Sequence, residues 1–282
     1  MMKQLNGKAA LVTGSTDGVG RLVAKRLAEA GVRVFLHGRD RERGERVVAE
    51  IAAGGGRAQF VPADLSSLAE VRRLARVIEG ETDRLDLLIN NAGIGTAGAQ
   101  RELSVDGYEL RFAVNYLAGF LLTQLLLPLI QASAPARIVN VSSIGQQAID
   151  FEDVMLERGY SGVRAYCQSK LAQILFTFDL AERLQGSGVT VTCLHPATYM
   201  DTTMVRRAGV APQSSVDEGA RAILELAIGT AQEGRSGLFF DGLREAHPHA
   251  QAADEHARRR LRRLSQEWTG LAKTKQSESV RQ

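Results

Sequence analysis

Thr13-Gly14-Ser15-Thr16-Asp17-Gly18-Val19-Gly20 decides the reading of this chain. An apolar run, Ala9-Ala10-Leu11-Val12-Thr13, leads into it, and Leu22, Val23, Leu27 and Ala30 follow at helical spacing until Gly31. That spacing predicts a buried strand, a glycine turn and a helix over 19–30. Gly14 permits a tight turn, Gly18 lets backbone approach a pyrophosphate, and Gly20 lets helix and strand pack closely. The helix N-terminus then faces the anion. A glycine loop alone can equally be a plain turn; between a strand and a helix, phosphate binding is favoured.

The same alternation continues outward. Strands are predicted over 33–37, 59–62, 85–90, 137–141, 189–194 and 237–241, the last of them short. Helices are predicted over 40–52, 68–79, 105–130, from 162 to about 184, and over 216–228. Strands alternating with helices imply an α/β protein, a doubly wound parallel sheet (Rossmann fold). No compositional break divides the chain, so residues 1–272 read as a single domain with a C-terminal helical extension. In that extension Leu261, Leu264, Trp268 and Leu271 can dock one face of a helix. Arg258, Arg259, Arg260, Arg262 and Arg263 take the other side, read as a solvated face. Residues 273–282 lack apolar anchors and read as a flexible tail.

Composition narrows the function. The 282 residues are 44% hydrophobic and 24% charged, as in ordinary globular proteins. Thirty-five basic residues against 32 acidic ones are too balanced to imply a nucleic acid or an anionic membrane as partner. Cys167 and Cys193 have no metal-ligand spacing and make no disulfide framework, which fits a reduced, cytoplasmic protein without a metal. The first eight residues lack the apolar core of a signal peptide. The most apolar stretch, 117–130, reads as too short for a membrane span and as broken by Thr123, Gln124 and Pro128; a buried helix is expected.

Two further places carry chemistry. The second strand ends in His37-Gly38-Arg39. NAD-binding units usually put a carboxylate here for the ribose 2′-hydroxyl, whereas Gly38 fills the place and a guanidinium follows. Arg39 suits a 2′-phosphate, so NADP (NADPH) is preferred, with NAD as the second candidate. Asp40 and Asp17 argue the other way, and pairing of Arg39 with Asp40 is the structural alternative. Further on, Tyr166 and Lys170 lie four residues apart, on one face of a helix. A neighbouring ammonium favours tyrosinate and brings a phenol towards acid/base work near neutrality.

Thr13 to Gly20, Asn90-Asn91-Ala92-Gly93, Asn115, Ser142-Ser143 and Tyr166-x-x-x-Lys170 stand in the order and approximate spacing of the short-chain dehydrogenase/reductase family. The chain resembles that family over about residues 6–242. The resemblance implies a cofactor site made by Gly14, Ser15, Asp17, Gly18, Val19, Gly20 and Arg39, by Asp64 and Leu65 at the adenine, and by Asn91, Ala92 and Gly93. Pro196 would begin the loop beside the nicotinamide, with Ala197 where the family commonly has glycine. Asn115 would kink its helix and hold a water, Ser143 would bond the substrate oxygen, and Tyr166 would be the acid/base. Lys170 would bind the nicotinamide ribose and lower the phenol pKa.

The loop 146–163 and the ending Trp268-Thr269-Gly270-Leu271 resemble the retinol-dehydrogenase-like and WW-domain-oxidoreductase-like branch. Membrane-bound retinol dehydrogenases carry an N-terminal apolar anchor that is not read here, so the resemblance does not imply activity on retinoids. Phe151, Met155, Tyr160, Tyr199, Met200 and Met204 suggest an apolar substrate pocket or, equally, loop packing. His195 is expected to pack or cap, and Cys167 to be buried and inert. The resemblance also implies a homodimer through the helices at 105–130 and 162–184. The expected function is an NADP(H)-dependent oxidoreductase acting on a small ketone, aldehyde or alcohol. The alternative is a non-catalytic NADP(H)-binding regulatory protein, which the intact set of Asn115, Ser143, Tyr166 and Lys170 argues against.

Overall fold

Ala9–Val12 forms strand β1, all four residues buried because the sheet is covered on both faces. The computed structural model describes residues 5–96 and 100–272; the 273–282 tail lies outside the described residues. After β1 come α1 (Gly18–Glu29), β2 (Arg33–Gly38), α2 (Arg41–Ala53), β3 (Arg57–Pro62), α3 (Leu68–Glu81) and β4 (Leu87–Asn90). Then follow α4 (Leu110–Ala132), β5 (Ala136–Val141), α5 (Gly162–Arg183), β6 (Val189–His195), the short α6 (Thr203–Arg207), α7 (Val216–Ile228) and β7 (Leu238–Asp241). A strand β8 (Arg244–Ala246) and helix α8 (Glu255–Trp268) complete the fold. The sheet order is β3-β2-β1-β4-β5-β6-β7-β8, parallel throughout except for β8. This is the doubly wound Rossmann arrangement, with its order reversing between β1 and β4.

Side-chain alternation along the strands feeds two cores. Leu11, Phe35, Leu88 and Ile138 face α3, α4 and α5. Val12, Leu36, Ile89 and Val139 face α1, α2 and α7. Truncating one such leucine to alanine would cost about 2–5 kcal/mol. Helix starts follow local chemistry: Asp17, Asp40, Ser67, Ser161, Ser215 and Asp254 each accept a backbone N–H at an N-cap.

Four expectations change. The fourth helix begins at Leu110, not near 105, because a turn at Ser104–Gly107, with Gly107 at φ +85°, precedes it and leaves Val105 78% exposed. Its 23 residues include an 18-residue stretch of mean hydropathy 1.7, long and apolar enough to cross a membrane, and Pro128 stays inside the helix. The helix serves as core instead: Phe120, Leu121, Leu122, Leu126 and Ile130 are buried. The strand at 238–241 is not the last, since β8 pairs with it antiparallel. The arginines of α8 are not simply solvated: Arg262 binds Asp179, Arg258 binds Glu182, and Arg260 binds Glu152 while lying over the Phe151 ring.

Candidate active site

The glycine loop and the segment after β4 are stitched together at the carboxyl ends of β1 and β4. The Thr13 hydroxyl accepts N–H bonds from Asn91 and Ala92, both at 3.0 Å, and the Asn91 amide donates to Thr13 O at 2.9 Å. A Cβ on Gly14 would lie 2.9 Å from Ala92 Cα, and one on Gly20 would lie 2.4 Å from Gly14 O. Gly14 and Gly18 adopt φ +65° and +53°. Glycine at these positions answers to space and backbone conformation together. Several loop side chains are turned to structure. Ser15 Oγ donates to Val12 O at 2.8 Å and accepts from His37 N at 2.9 Å, while Val19 is buried in the core. Asp17 accepts from Gly18 N and from the Thr203 hydroxyl, both at 2.7 Å. The Thr203 bond leads in holding its carboxyl below the ordinary range.

His37 carries a role its sequence position hid. Its Nδ1 accepts from Gly14 N at 3.1 Å and its Nε2 lies 3.1 Å from Ala63 O, which fixes the Nε2–H tautomer. Burial pushes its pKa down to about 4, so the ring is neutral. The signal was a polar residue in an apolar strand. Gly38 is fitted to its neighbour: a Cβ there would lie 2.6 Å from Thr16 Cγ2, so any larger residue requires the Thr16 side chain to move. Asp40 caps α2 and pairs with Arg43 at 3.2 Å. Arg39 is therefore not paired with Asp40; it is exposed, with no ion pair among the described residues. Asp64 accepts from Ser66 N at 2.9 Å, and Leu65 packs into the core.

Across the crevice, α4 and α5 bring the remaining residues together. Residues Ala113–Leu117 form a widened π turn, the irregularity expected at Asn115. Asn115 Oδ1 accepts from Ile94 N at 2.8 Å, and its Nδ2 donates to Ser169 Oγ at 2.9 Å, so it ties the segment after Gly93 to α5. Ser143 Oγ accepts from Gly145 N at 3.0 Å, and a Cβ on Gly145 would lie 3.4 Å from that oxygen and 3.7 Å from the Tyr166 ring, so the two side chains converge beside Gly145. The Lys170 ammonium lies 5.7 Å from the Tyr166 ring centroid. It donates to Val141 O at 2.9 Å and to Gln173 Oε1 at 3.1 Å. The expected depressed phenol is not what the chain alone produces. Burial holds the Tyr166 pKa above its ordinary value, against the lowering effect of the nearby Ser143 hydroxyl. Burial also brings Lys170 down to about 8.

These observations meet what comparison finds. Residues 8–212 match the family model of short chain dehydrogenases. The chain belongs to the short-chain dehydrogenase family. Retinol dehydrogenase 13 of Mus musculus is 40% identical to this dehydrogenase, over 94% of this chain and 85% of the relative. A solved structure of an uncharacterized protein from Mycobacterium paratuberculosis superposes with a TM-score of 0.80 at 31% identity, covering 95% of this chain and 96% of that one. The Pseudomonas aeruginosa RhlG/NADP active-site complex gives 0.70 at 33% identity, covering 84% and 95%. The protein is thus an NAD(P)-dependent oxidoreductase.

The remaining expected residues of the dehydrogenase frame the mouth of the site. Pro196 is buried at the end of β6, and His195 Nε2 bonds Thr198 Oγ1 at 3.0 Å, the packing role expected of it. Positive φ falls on Tyr199, at +44°, rather than on Ala197. Ile144, Tyr199 and Met204 are exposed, whereas Phe151 and Met155 pack against the core. Cys167 is only half-buried, and burial raises its thiol pKa, which keeps it protonated. Helix α8 lies on α4 and α5, the pair of helices named for a homodimer: Trp268 meets Phe112 edge-on, and Ser265 bonds the Tyr116 hydroxyl at 2.8 Å. A cavity of about 900 Å³ opens at the opposite end of the sheet, near Lys8, Asp86 and Arg137, away from all these groups.

Proposed function

We propose that this dehydrogenase is an NADP(H)-dependent oxidoreductase of an apolar carbonyl or alcohol, with Tyr166 exchanging the proton at the substrate oxygen. The convergence of Ser143, Tyr166 and Lys170 carries the reading: Ser143 Oγ and the Tyr166 ring meet beside Gly145, and the Lys170 ammonium lies 5.7 Å from that ring, so two hydroxyls and a positive charge are gathered at one place. A nicotinamide, when bound, supplies or accepts the hydride. The glycine cradle fits such a dinucleotide: Gly14, Ser15, Asp17, Gly18, Val19 and Gly20 would hold the pyrophosphate through their backbone. Asp64 and Leu65 would border the adenine, and Asn91, Ala92, Gly93 and Pro196 the nicotinamide. With its pKa held above the ordinary value, the part-buried Tyr166 phenol is protonated at neutral pH, the form that a carbonyl reduction needs. Ser143 would orient the substrate oxygen, Lys170 would hold positive charge beside the phenol, and Asn115 would fix the backbone between them. The relatives named for retinol, and the exposed Ile144, Tyr199 and Met204, support an apolar substrate.

Gly38, and Arg39 exposed with no ion pair among the described residues, support NADP over NAD. The test is a turnover screen of ketones, aldehydes and alcohols, retinal and retinol included, with each cofactor. Tyr166→Phe is expected to lower turnover about 10²–10⁴-fold with NADPH affinity nearly unchanged. Full activity in that variant would remove the reading. Tighter binding of NADH than NADPH would remove its cofactor half.

A further inference from the structure

Lys170 is 5% exposed and has no carboxylate partner among the described residues; its protein acceptors are Val141 O and Gln173 Oε1. Gln173 is itself 4% exposed, one turn along α5. Its backbone carbonyl accepts from the Thr177 hydroxyl at 2.8 Å, which accepts from Asn140 Nδ2 at 2.9 Å. Asn140 Oδ1 accepts from Asn90 Nδ2 at 2.8 Å, which also reaches the Thr123 hydroxyl at 3.0 Å. A line of buried, neutral amides and hydroxyls thus crosses from α4 through β4 and β5 to α5. It anchors the residue whose side chain holds the ammonium. Buried polar groups are expensive unless satisfied, so this line is rigid where it is complete.

We propose that Gln173 is a positioning residue, whose side-chain carbonyl keeps the Lys170 ammonium charged and fixed between the Tyr166 ring and the Gly93–Asn115 pair. The position is set by distance: a Cβ on Gly93 would lie 3.6 Å from Lys170 Nζ and 3.2 Å from Asn115 Oδ1. A neutral acceptor suits the task. A carboxylate would bind the ammonium as an ion pair and hold it from other partners, and an apolar side chain would leave it one protein acceptor fewer. Ionisable groups facing Lys170 are Tyr166 on its own helix and His195 at the end of β6, with Asp241 of β7 beyond. The segment after β4 and helix α4 bring Gly93 and Asn115, neither of them ionisable.

The inference rests on the proposed function for the role of Lys170, but its test does not. Full-length protein without cofactor, labelled with ¹³C-lysine, is titrated by NMR as wild type, Gln173→Met and Gln173→Glu, with Lys170→Arg to assign the signal. The Lys170 midpoint is expected to fall by about one pH unit in Gln173→Met and to rise by about as much in Gln173→Glu. The pH limb of turnover with NADPH, on any substrate the wild type accepts, moves in the same directions. A purely structural glutamine would change melting temperature and leave the midpoint in place. Midpoints indistinguishable from wild type in both variants would overturn the proposal. If Gln173→Met does not fold, the presence or absence of the upward shift in Gln173→Glu decides. Wild type inactive on the whole panel counts against the proposed function, while the titration still judges Gln173.

Discussion

The two ends of the sheet treat buried charge in opposite ways. At the amino ends, the Asp86 side chain is fully enclosed and fully matched. It accepts from Ala9 N at 2.9 Å and from Arg84 at 2.6 Å, with Lys8 at 3.4 Å. Burial pushes its carboxyl up, yet Arg84, the Ala9 N–H and Lys8 outweigh it and leave the pKa below the ordinary value. Nearby Arg137 donates to Leu226 O and Gly229 O, satisfying the end of α7. At the carboxyl ends, Lys170 is equally enclosed and meets only neutral acceptors. Matched charge holds an element in place. Charge buried without a counter-ion destabilises the fold and is retained where a ligand or a reaction uses it.

The sharpest way to break that contrast is Lys170→Met. Turnover should fall about 10²–10⁴-fold. Stability should move by less than about 1 kcal/mol, since relief of desolvation offsets two lost hydrogen bonds. Steady-state kinetics and urea unfolding check both halves, and a large loss of stability would make Lys170 a structural residue like Asp86. Next comes His37, an ionisable group at the carboxyl end that serves structure. Its folded pKa, about 4, lies below the ordinary 6.5, so the unfolded chain binds the extra proton between those values. Its contribution is full above pH 6.5 and is lost as pH falls towards 4, by about 3 kcal/mol in all. Denaturant midpoints measured across that window should slope, and His37→Gln should flatten the slope. The smallest effect is expected at the amino end. Asp86→Ala strands the Ala9 N–H while Arg84 and Lys8 return to solvent, a loss of about 2 kcal/mol in unfolding assays. Turnover should be unchanged, and a fall in it would link the two ends.

Much of the site was legible because its parts obey local rules. Gly14, Gly18 and Gly20 announce a tight glycine turn by where they fall between a strand and a helix. Tyr166 and Lys170 announce themselves by helical spacing. Other residues were hidden because their partners are distant in sequence. His37 acts on Gly14, 23 residues earlier, and Thr203 reaches Asp17 from 186 residues away. Gln173 reads as one more polar residue on a helix until β4 and β5 supply the amides behind it. The arginines of α8 look like a solvent face until Asp179, Glu182 and Glu152 come into reach.

Sequence alone determined the alternation of strands and helices, the doubly wound class and the residue types of the site, because periodicity, turns and caps are written within a few neighbouring positions. Tertiary structure decided which of those residues are committed. It turned Ser15 and Asp17 towards the loop itself, filled the space beside Gly38 with Thr16, and left Arg39 without an ion pair among the described residues. It also set the state of the phenol. Spacing puts Lys170 beside Tyr166, but burial is a property of the assembled core, and in the chain by itself it keeps that phenol protonated.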